Sequence, residues 1–403
     1  MDKCLDGLLV MEFSEGWSAG ALCSRLLADL GATVVKIESP AGDPLRARPP
    51  GARDGESPTF QCLNTNKRSI ALDFKAREGE VLLKELLKKA DVFLEDIYSP
   101  PDRTLSLTYD MMALLNPRLV YCSFSPLGRK GPLCEYVGDD LIAQTMSGVV
   151  ATTGNPGRIP NKAGPPFANH VCAVLGGIAI LAALNERENS GLGQEIDMAL
   201  YDAMVAYLYT FIPGYFISGK APERSGNRHP MTAPWDSYQA KDGWVIICMG
   251  DTRQWHSFLR LIERQDLIDN PKYKTNDERT QPGVREEVEK MVADWVNDKT
   301  ISEVIKILEK EKIPSGPIYS IEQALQDKQF LSRDMVVEMK HPLSGIYHTF
   351  GSIFKMSATP GRLETPSPLL GQHTRSLLKE LCRLSAEHLS ALEEKGILVM
   401  RDE

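Results

Sequence analysis

Residues 8–38 read LLVMEFSEGWSAGALCSRLLADLGATVVKIE, and this stretch decides the fold class. A short apolar run from Leu8 is followed by a helical pattern near Ser18 to Leu30 and by a second run from Thr33. Ser18 is a typical N-cap residue, and Gly31 follows the helix where a left-handed cap residue is expected. A strand, a helix and a strand in this order indicate parallel strands joined by a crossover helix.

The same alternation continues to residue 124. Further strands are predicted at SIALD, DVFLE and RLVYCSF, which begin at Ser69, Asp91 and Arg118, and a helix is predicted near Gly79 to Ala90. This order predicts an α/β fold with a doubly wound parallel sheet.

Two apolar segments follow this region. A helix containing AVLGGIAILAAL is predicted from about Ala168, and a second helix is predicted near Tyr201 to Ile217. The first is apolar on all sides, so we expect it in a core, and we place the second helix there with it.

The pattern changes again after a stretch rich in proline and glycine. A strand (WVIICM), charged amphipathic helices around Val284 to Val296 and Ile301 to Lys310, and short strands near Ile318 and Val336 follow. These elements predict a smaller α+β domain over residues of about 225–330.

The composition and the motifs exclude several function classes. The 403 residues carry a net charge of −8, whereas a nucleic-acid-binding protein would show a basic surplus. No targeting segment or bilayer-length apolar run is apparent, so we expect a cytoplasmic protein. Eight cysteines without a C-x-x-C pair indicate neither a zinc site nor a disulfide framework, and no metal is expected. The sequence also lacks the motifs of dinucleotide, nucleoside triphosphate, serine hydrolase and zinc protease sites.

Basic residues lie beside two of the predicted strands, TVVKIE and SIALD. Lys36, Arg46, Lys67 and Arg68 lie beside strand ends, where ligands of open α/β sheets usually bind. They are candidates for contacts with phosphates, and solvated loop charges are the alternative.

Three further segments carry candidate site residues. Asp139 and Asp140 begin a short helical pattern, and Asn169 ends a proline loop at a helix N-terminus, where asparagine is also a favoured N-cap. The loop SGNRHPMTAP from Ser225 has a composition suited to closing over a ligand or to an interdomain hinge.

Eight segments in order resemble the signatures of the family III CoA-transferases, which have α-methylacyl-CoA racemases as relatives. They are LADLGATVVKIESPAGDPLR, LNTNKRSIALD, LNPRLVYCSFSPLGRKGP, the D-x-x-x-Q-x-x-S-G of Asp140 to Gly148, ILAALNERENSGLGQEIDMALYDA, SGNRHPMTAPWDSY, IPSGPIYS and SPLLGQHT. Together they extend over nearly the whole chain.

The resemblance implies a domain arrangement and a dimer. A large doubly wound domain is expected over residues 1–205, a linker over 206–224, a small domain over 225–330 and a return to the large domain over 331–403. Two chains would be interlocked, with CoA between the large domain of one and the small domain of the other. The partner would be an identical chain or a homologous sister subunit.

The resemblance also implies covalent catalysis by an aspartate at the start of the helix after the proline loop. That aspartate attacks the acyl-CoA thioester to give a mixed anhydride, which CoA opens to an aspartyl-CoA thioester. The acceptor acid then takes CoA through a second anhydride. In this sequence Asn169 occupies the position of the nucleophile.

Other site residues follow from the resemblance alone. Asp140 and the Gly226–Asn227 loop are expected to line the site, and Lys36, Lys67, Arg68 and Arg103 are expected to contact CoA. Two segments depart from the family pattern: Trp17 stands in the N-terminal ligand loop, and Glu95–Asp96 begins a changed CoA loop.

Three explanations of Asn169 remain open. In the first, the chain is a non-catalytic subunit of a heteromer, of the kind known from benzylsuccinate CoA-transferases of anaerobic toluene breakdown. In the second, it carries an engineered Asp-to-Asn change in a homodimeric enzyme. In the third, another residue performs the chemistry, or the chain only binds CoA or acts as a scaffold. The simultaneous change of the CoA loop favours the first. The predicted activity of the complex is CoA transfer from an acyl-CoA donor, such as succinyl-CoA, to a carboxylic acid.

Overall fold

The computed structural model describes residues 3–16, 18–48, 56–96 and 107–401. The chain divides into two compact units. The first comprises Met1–Val149, Lys162–Gly214 and Lys328–Glu403, and the second comprises Val150–Asn161 and Tyr215–Asp327. The sequence analysis did not predict that segment Val150–Asn161 belongs to the second unit.

A seven-stranded sheet forms the centre of the first unit, in the order β12-β3-β2-β1-β4-β5-β6. Its strands pair in parallel except β12, which is antiparallel to β3. The strands are β1 (Leu9–Phe13), β2 (Thr33–Glu38), β3 (Lys67–Leu72), β4 (Val92–Asp96), β5 (Val120–Ser125), β6 (Glu195–Ala199) and β12 (Leu398–Val399). The predicted doubly wound α/β sheet is therefore confirmed, while β6 and β12 were not predicted.

Helices cover both faces of this sheet. The described helices that lie wholly within the unit are α1 (Ala19–Asp29), α2 (Pro58–Asn64), α3 (Arg77–Leu87), α4 (Tyr109–Leu115), α5 (Asp140–Met146), α7 (Phe167–Ser190), α8 (Leu200–Tyr207), α15 (Lys328–Ser332), α16 (Thr374–Cys382) and α17 (Ala386–Glu394). A hairpin of β10 (Val336–His341) and β11 (Gly345–Phe350) completes the unit. Two helices cross its boundary, α6 (Val149–Thr152) and α9 (Ile212–Ser218).

Alternation along the strands produces two separate cores. Val10 and Val34 belong to the core formed with α1, α7 and α8. Met11 and Val35 belong to the core formed with α3, α16 and α17. Because side chains alternate across a strand, a continuous apolar strand supplies both cores at once, which explains the unbroken apolar runs in the sequence.

The predicted caps of α1 are present. Ser18 is the N-cap, and its hydroxyl oxygen accepts a hydrogen bond from the backbone N–H of Ala21 at 3.1 Å. Gly31 follows the helix with a backbone φ of 109°, a value that residues other than glycine rarely adopt. The Ser18 cap lies five residues after Phe13, the carboxyl end of β1, and α1 begins at the next residue.

Helix α7 is only partly a core element. Ala168, Cys172, Ala173 and Ile180 are buried in the first core, whereas Ile178 is 60% exposed. By length and composition α7 could also cross a membrane, and it is the only helix of the described residues that passes this test.

The prediction of one core helix over Tyr201 to Ile217 was wrong. The structure has two short helices there, α8 and α9, and α9 has no buried residue. The apolar composition that suggested a core position instead leaves apolar surface exposed on this segment.

The second unit contains a three-stranded antiparallel sheet, β7-β8-β9. Its strands are β7 (Trp235–Ala240), β8 (Gly243–Cys248) and β9 (Ser315–Pro317), and its helices are α10 (Thr252–Leu261), α11 (Asn276–Arg279), α12 (Val284–Val296), α13 (Ile301–Lys310) and α14 (Ile321–Gln326). Buried side chains of α10, α12 and α13 pack against the sheet. The two charged helices predicted here have the predicted bounds.

Candidate functional site

The centre of the large sheet provides a ligand-binding edge. Strand order reverses at β1, which lies between β2 and β4. In open α/β sheets, ligands bind outside the carboxyl ends of the strands at such a switch point. Helix α1 begins just beyond β1, and Asp96 ends β4, so both belong to this edge.

The structure brings Asp140 and Asn169 together. The Asp140 Oδ2 atom accepts a hydrogen bond from the backbone N–H of Asn169 at 2.8 Å. Asp139 is the N-cap of α5, where its carboxylate accepts the Ile142 N–H at 3.0 Å, and Asp140 follows as the first residue of that helix. The Gln144 side chain also donates to Asp140, which holds the carboxylate towards α7.

The alternative that Asn169 is an N-cap was wrong. Helix α7 begins at Phe167, and Pro166 is its N-cap residue, with no side-chain cap bond. Asn169 therefore lies in the first turn, where its N–H has no partner within the helix. Asp140 satisfies that N–H from a neighbouring helix, and Asn169 is 7% exposed.

A cavity of about 780 Å³ opens beside Asn169, and its described lining residues all belong to the first unit. They are Ser18, Leu22, Leu26, Thr59, Leu63, Pro165, Pro166, Phe167, Asn169, His170, Phe330, Met335, Phe350 and Ile353. The volume is that of a typical small-molecule pocket. Most of these side chains are apolar, and the polar ones are hydroxyl, amide and imidazole groups.

Asp96 lies close against the start of α1. Its Oδ1 atom accepts the backbone N–H of Gly20 at 3.3 Å, and a Cβ added at Gly20 would lie 2.3 Å from Oδ2. Glycine is required for this approach. Burial raises the pKa of Asp96 to about 7, although hydrogen-bonding groups of Ser18 and Gly20 partly offset the effect.

Lys36 and Lys67 belong to a buried ionic cluster. Both side chains are fully buried, and both ammonium groups pair with the Glu12 carboxylate, Lys36 at 3.2 Å and Lys67 at 2.7 Å. Burial by itself would raise the pKa of Glu12, but the two lysines outweigh it and lower that pKa to about 2. Lys36 also pairs with Asp43 at 3.1 Å. In this structure the cluster neutralises its own charges inside the protein.

The expected position of Lys67 and Arg68 at a ligand-binding strand end was wrong. Strand β3 begins at Lys67, so both residues lie at the amino end of a parallel strand, opposite the carboxyl edge. Arg68 has a half-exposed side chain that lies 4.0 Å from the Glu380 carboxylate. Arg46 is buried between Glu38 and Glu56, at 2.7 and 2.6 Å. Contact of Lys36, Lys67 and Arg68 with CoA stays a prediction.

The remaining predicted residues lie elsewhere. Arg103 and Trp17 are outside the described residues. Gly226 and Asn227 belong to the second unit, where Gly226 has φ of 65° and its N–H donates to the Gly154 carbonyl. The Asn227 side chain donates to the Ser237 hydroxyl at 2.9 Å. The role of this loop in binding CoA is likewise still a prediction.

A family model described as CoA-transferase family III matches residues 5–374. The chain belongs to CoA-transferase family III. The succinate–glutarate CoA-transferase of Agrobacterium fabrum is 35% identical over 384 residues, which cover 94% of this chain and 95% of the relative. The human succinyl-CoA:glutarate CoA-transferase is 30% identical over 397 residues, covering 98% and 90%.

A solved structure agrees with this assignment. The crystal structure of a CAIB/BAIF family protein from Brucella suis superposes with a TM-score of 0.84 at 32% identity and covers 94% of this chain and all of that one. The resemblance found in the sequence is thereby confirmed. CoA thioesters are the substrates of this enzyme family, whose members transfer CoA from an acyl-CoA to a carboxylic acid.

Sequence reasoning did not recognise two features of this family III chain. Asp96 was noticed only as part of a changed loop, not as a carboxyl group buried against α1. Glu12 was read as part of an apolar strand, although it stands directly opposite Lys36 in the register of β1 and β2. A pair of opposite charges at the centre of two neighbouring strands was the signal available for the second.

Proposed function

We propose that this chain is the non-catalytic subunit of a heteromeric family III CoA-transferase. Its complex would move CoA from an acyl-CoA donor, such as succinyl-CoA, to a carboxylic acid in the cytoplasm. A homologous sister chain would supply the aspartate that attacks the thioester.

The observation that carries this proposal is the chemistry of Asn169 in its surroundings. An amide nitrogen has a delocalised lone pair and the amide oxygen carries no full negative charge, so neither atom forms an anhydride at a useful rate. The first turn of α7 nonetheless offers the environment that an attacking carboxylate needs, because a helix N-terminus stabilises negative charge. Position 169 thus has surroundings suited to a carboxylate nucleophile but carries an amide.

The neighbouring carboxylate does not replace the missing group. Both Asp140 oxygens are engaged, Oδ2 with the Asn169 N–H at 2.8 Å and Oδ1 with the Gln144 side chain. A carboxylate that accepts two hydrogen bonds is held in place and is a weaker nucleophile. Asp140 therefore supports the start of α7 in this proposal and does not attack the thioester.

The exposed side of α7 supports the association with another chain. Leu175, Ile178 and Leu181 are exposed at a spacing of three residues and form one apolar stripe. Tyr207, the last residue of α8, and Tyr209, two positions later, are also exposed. Contiguous exposed apolar surface of this kind is typical of protein interfaces. We infer that this surface packs in an interlocked dimer with the sister chain.

CoA-transfer assays test the proposal. The purified chain, its Asn169→Asp variant and a complex of each with an aspartate-bearing sister chain are given succinyl-CoA and a panel of aryl and alkyl carboxylates. We expect the chain alone to be inactive with either residue at 169 and the complex with the sister to be active with both. Asn297→Asp, an exposed change of the same kind, is the matched control.

Two outcomes would contradict the proposal in different ways. Activity of Asn169→Asp without a sister chain would indicate a homodimeric enzyme that has lost only its nucleophile. Activity of the unmodified chain by itself would show that Asn169 is not at the position of the reacting group, and Asp139 and Asp140 would then have to be tested.

A further inference from the structure

We propose that Asn276, Arg279 and Arg285 are positioning residues for CoA binding, because they hold loop 225–233 (SGNRHPMTA) in the conformation that receives CoA. The loop would then bind CoA without first closing over it. This inference rests on the proposed function, since it takes the Gly226–Asn227 part of the loop to contact the CoA that the heteromeric complex binds. All residues of the argument belong to the second unit.

The backbone carbonyls of the loop carry most of the argument. Every carbonyl from His229 to Ala233 accepts a hydrogen bond from one of these three side chains. The pairs are Asn276 Nδ2 with Met231 at 2.6 Å, Arg279 Nε with Ala233 at 2.9 Å, and the Arg285 guanidinium with His229, Pro230 and Thr232 at 3.0, 3.4 and 3.5 Å. A loop on the protein surface can leave its carbonyls to water, so this pairing selects one path of the backbone.

The three donors stand on two helices that are themselves fixed. Asn276 begins α11 and Arg279 ends it, and Arg285 lies in the first turn of α12. A capping box of Thr275 and Glu278 stabilises the N-terminus of α11. Buried side chains of α12 belong to the core of the second unit. The donors therefore have fixed positions.

Arg279 anchors the carboxyl end of the loop. Its side chain is fully buried, and besides Ala233 it donates to the carbonyls of Tyr273 at 3.0 Å and Lys274 at 3.3 Å. Burial lowers the pKa of Arg279 to about 10, so the guanidinium remains charged at neutral pH. Hydrogen bonds from a charged donor are roughly twice as strong as neutral ones, so the Ala233 carbonyl is held firmly.

Other contacts fix the first half of the loop and leave its outer side exposed. The Gly226 N–H donates to the Gly154 carbonyl at 2.9 Å, and the Asn227 side chain donates to the Ser237 hydroxyl at 2.9 Å. Gly226 and Asn227 are exposed, and Met231 is 75% exposed. A ligand that reaches this side meets a surface that is already ordered, so its binding does not have to offset the entropy of fixing the loop.

Hydrogen exchange measures the order of the loop before CoA is present. The purified chain and its complex with the sister chain are compared with and without saturating CoA, by mass spectrometry of peptides that cover residues 225–233. The N–H groups of His229, Met231 and Ala233 all have acceptors, so we expect them to exchange at least about tenfold more slowly than in an unstructured peptide even without CoA. A loop that exchanges freely and becomes protected only with CoA would overturn the inference.

Arg285→Met removes the bonds to three carbonyls at a half-buried position and keeps a long side chain. Exchange of the loop should become at least about fivefold faster. CoA should bind to the complex about tenfold more weakly in isothermal titration, since the freed backbone must be ordered again on binding. Arg285→Lys keeps a charged donor and should recover part of the loss. Arg253→Met changes a 70% exposed arginine of α10 and is the matched control, which should alter neither quantity.

Asn276→Asp gives a second variant of nearly equal shape. The carboxylate still accepts the Ala233 N–H, which lies 3.2 Å from Oδ1, but it cannot donate to the Met231 carbonyl. An acidic residue at the start of α11 is favourable for the helix, so a defect would come from the loop. We expect faster loop exchange and, in turnover by the complex, a higher KM for succinyl-CoA with kcat unchanged. A general loss of folded protein would lower kcat instead.

The possible results separate this inference from the proposed function. Faster loop exchange in both variants with unchanged affinity for CoA would overturn the inference, and the proposed function would stand if the complex transfers CoA. If the unmodified complex neither binds nor transfers CoA, the proposed function fails, and the inference fails with it. Should Arg285→Met not fold, Asn276→Asp and the exchange of the unmodified loop decide.

Discussion

The Asp140 carboxylate accepts a hydrogen bond from the backbone N–H of Asn169 at 2.8 Å and thereby joins the start of α5 to the start of α7. An N-terminal N–H of a helix usually finds its acceptor in its own cap residue. Here the cap residue is Pro166, whose side chain offers no acceptor, so the bond comes from another helix. The geometry of the candidate site therefore depends on a contact between residues 29 positions apart in the sequence.

Removal of this carboxylate should destabilise the protein. Asp140→Ala leaves the buried Asn169 N–H without its acceptor, and we expect the free energy of unfolding to fall by about 1–2 kcal/mol. Urea unfolding of the two proteins measures the difference. Asp110→Ala, which removes an exposed carboxylate in the first turn of α4, is the control and should change stability by less than about 0.5 kcal/mol. Equal effects of both changes would show that the contact contributes nothing specific.

The cluster of Glu12, Lys36 and Lys67 should be structural. Glu12→Gln removes the charge that neutralises two buried ammonium groups, and we expect a loss of about 3–5 kcal/mol in the free energy of unfolding. Glu80→Gln breaks a partly exposed pair with Lys84 and should cost at most about 0.5 kcal/mol. Stability within about 1 kcal/mol of the unmodified protein would contradict the structural role of the cluster.

The pKa of Glu12 adds a pH dependence to this prediction. Its pKa is about 2 in the folded chain and near 4.5 in an exposed glutamate, so the unfolded state binds more protons between these values. The stability from Glu12 is fully present above about pH 4.5 and is lost as the pH falls towards 2. Glu12→Gln should lack this part of the acid dependence.

Local patterns were sufficient to predict much of the fold. The bounds of α12 and α13 follow from apolar residues at helical spacing, and the caps of α1 follow from Ser18 and Gly31. Each of these features depends on residues a few positions apart. The same holds for the strands β1 to β5, whose apolar runs report burial on both sides.

Features that depend on distant contacts were not predicted correctly. Lys67 was expected at a ligand-binding strand end, but it lies at the amino end of β3, and its ion pair with Glu12 depends on the order of three strands in the sheet. Asn169 was weighed as an N-cap because asparagine favours that position, and its bond to Asp140 could not be predicted because Asp140 belongs to another helix. Helix α9 was expected in a core on its composition alone, which does not distinguish burial in the chain from burial by a partner.

The exposed stripe of α7 should determine association. Ile178→Glu places a charge at the centre of Leu175, Ile178 and Leu181, and we expect it to dissociate the dimer, as measured by sedimentation velocity. Val81→Glu changes an exposed apolar residue of α3 and should leave the dimer intact. A dimer that persists in the Ile178→Glu protein would show that α7 is not part of the interface.

Asp96 should make stability fall as the pH rises. Its pKa is about 7 in the folded chain and near 3.8 when exposed, so between these values the folded state binds more protons than the unfolded state. The free energy of unfolding then decreases with rising pH, by at most about 1.4 kcal/mol per pH unit from this group. Asp96→Asn is neutral throughout and lacks this contribution.

We therefore expect Asp96→Asn to gain stability relative to the unmodified protein as the pH is raised from 5 to 8, because the charged carboxylate is the form that burial penalises. Urea unfolding at both pH values measures the difference, and Asp6→Asn, an exposed change of the same kind, should show no such trend. A constant difference between Asp96→Asn and the unmodified protein at the two pH values would mean that Asp96 titrates below pH 5. Its carboxylate would then be stabilised by the N-terminus of α1 more strongly than burial opposes it.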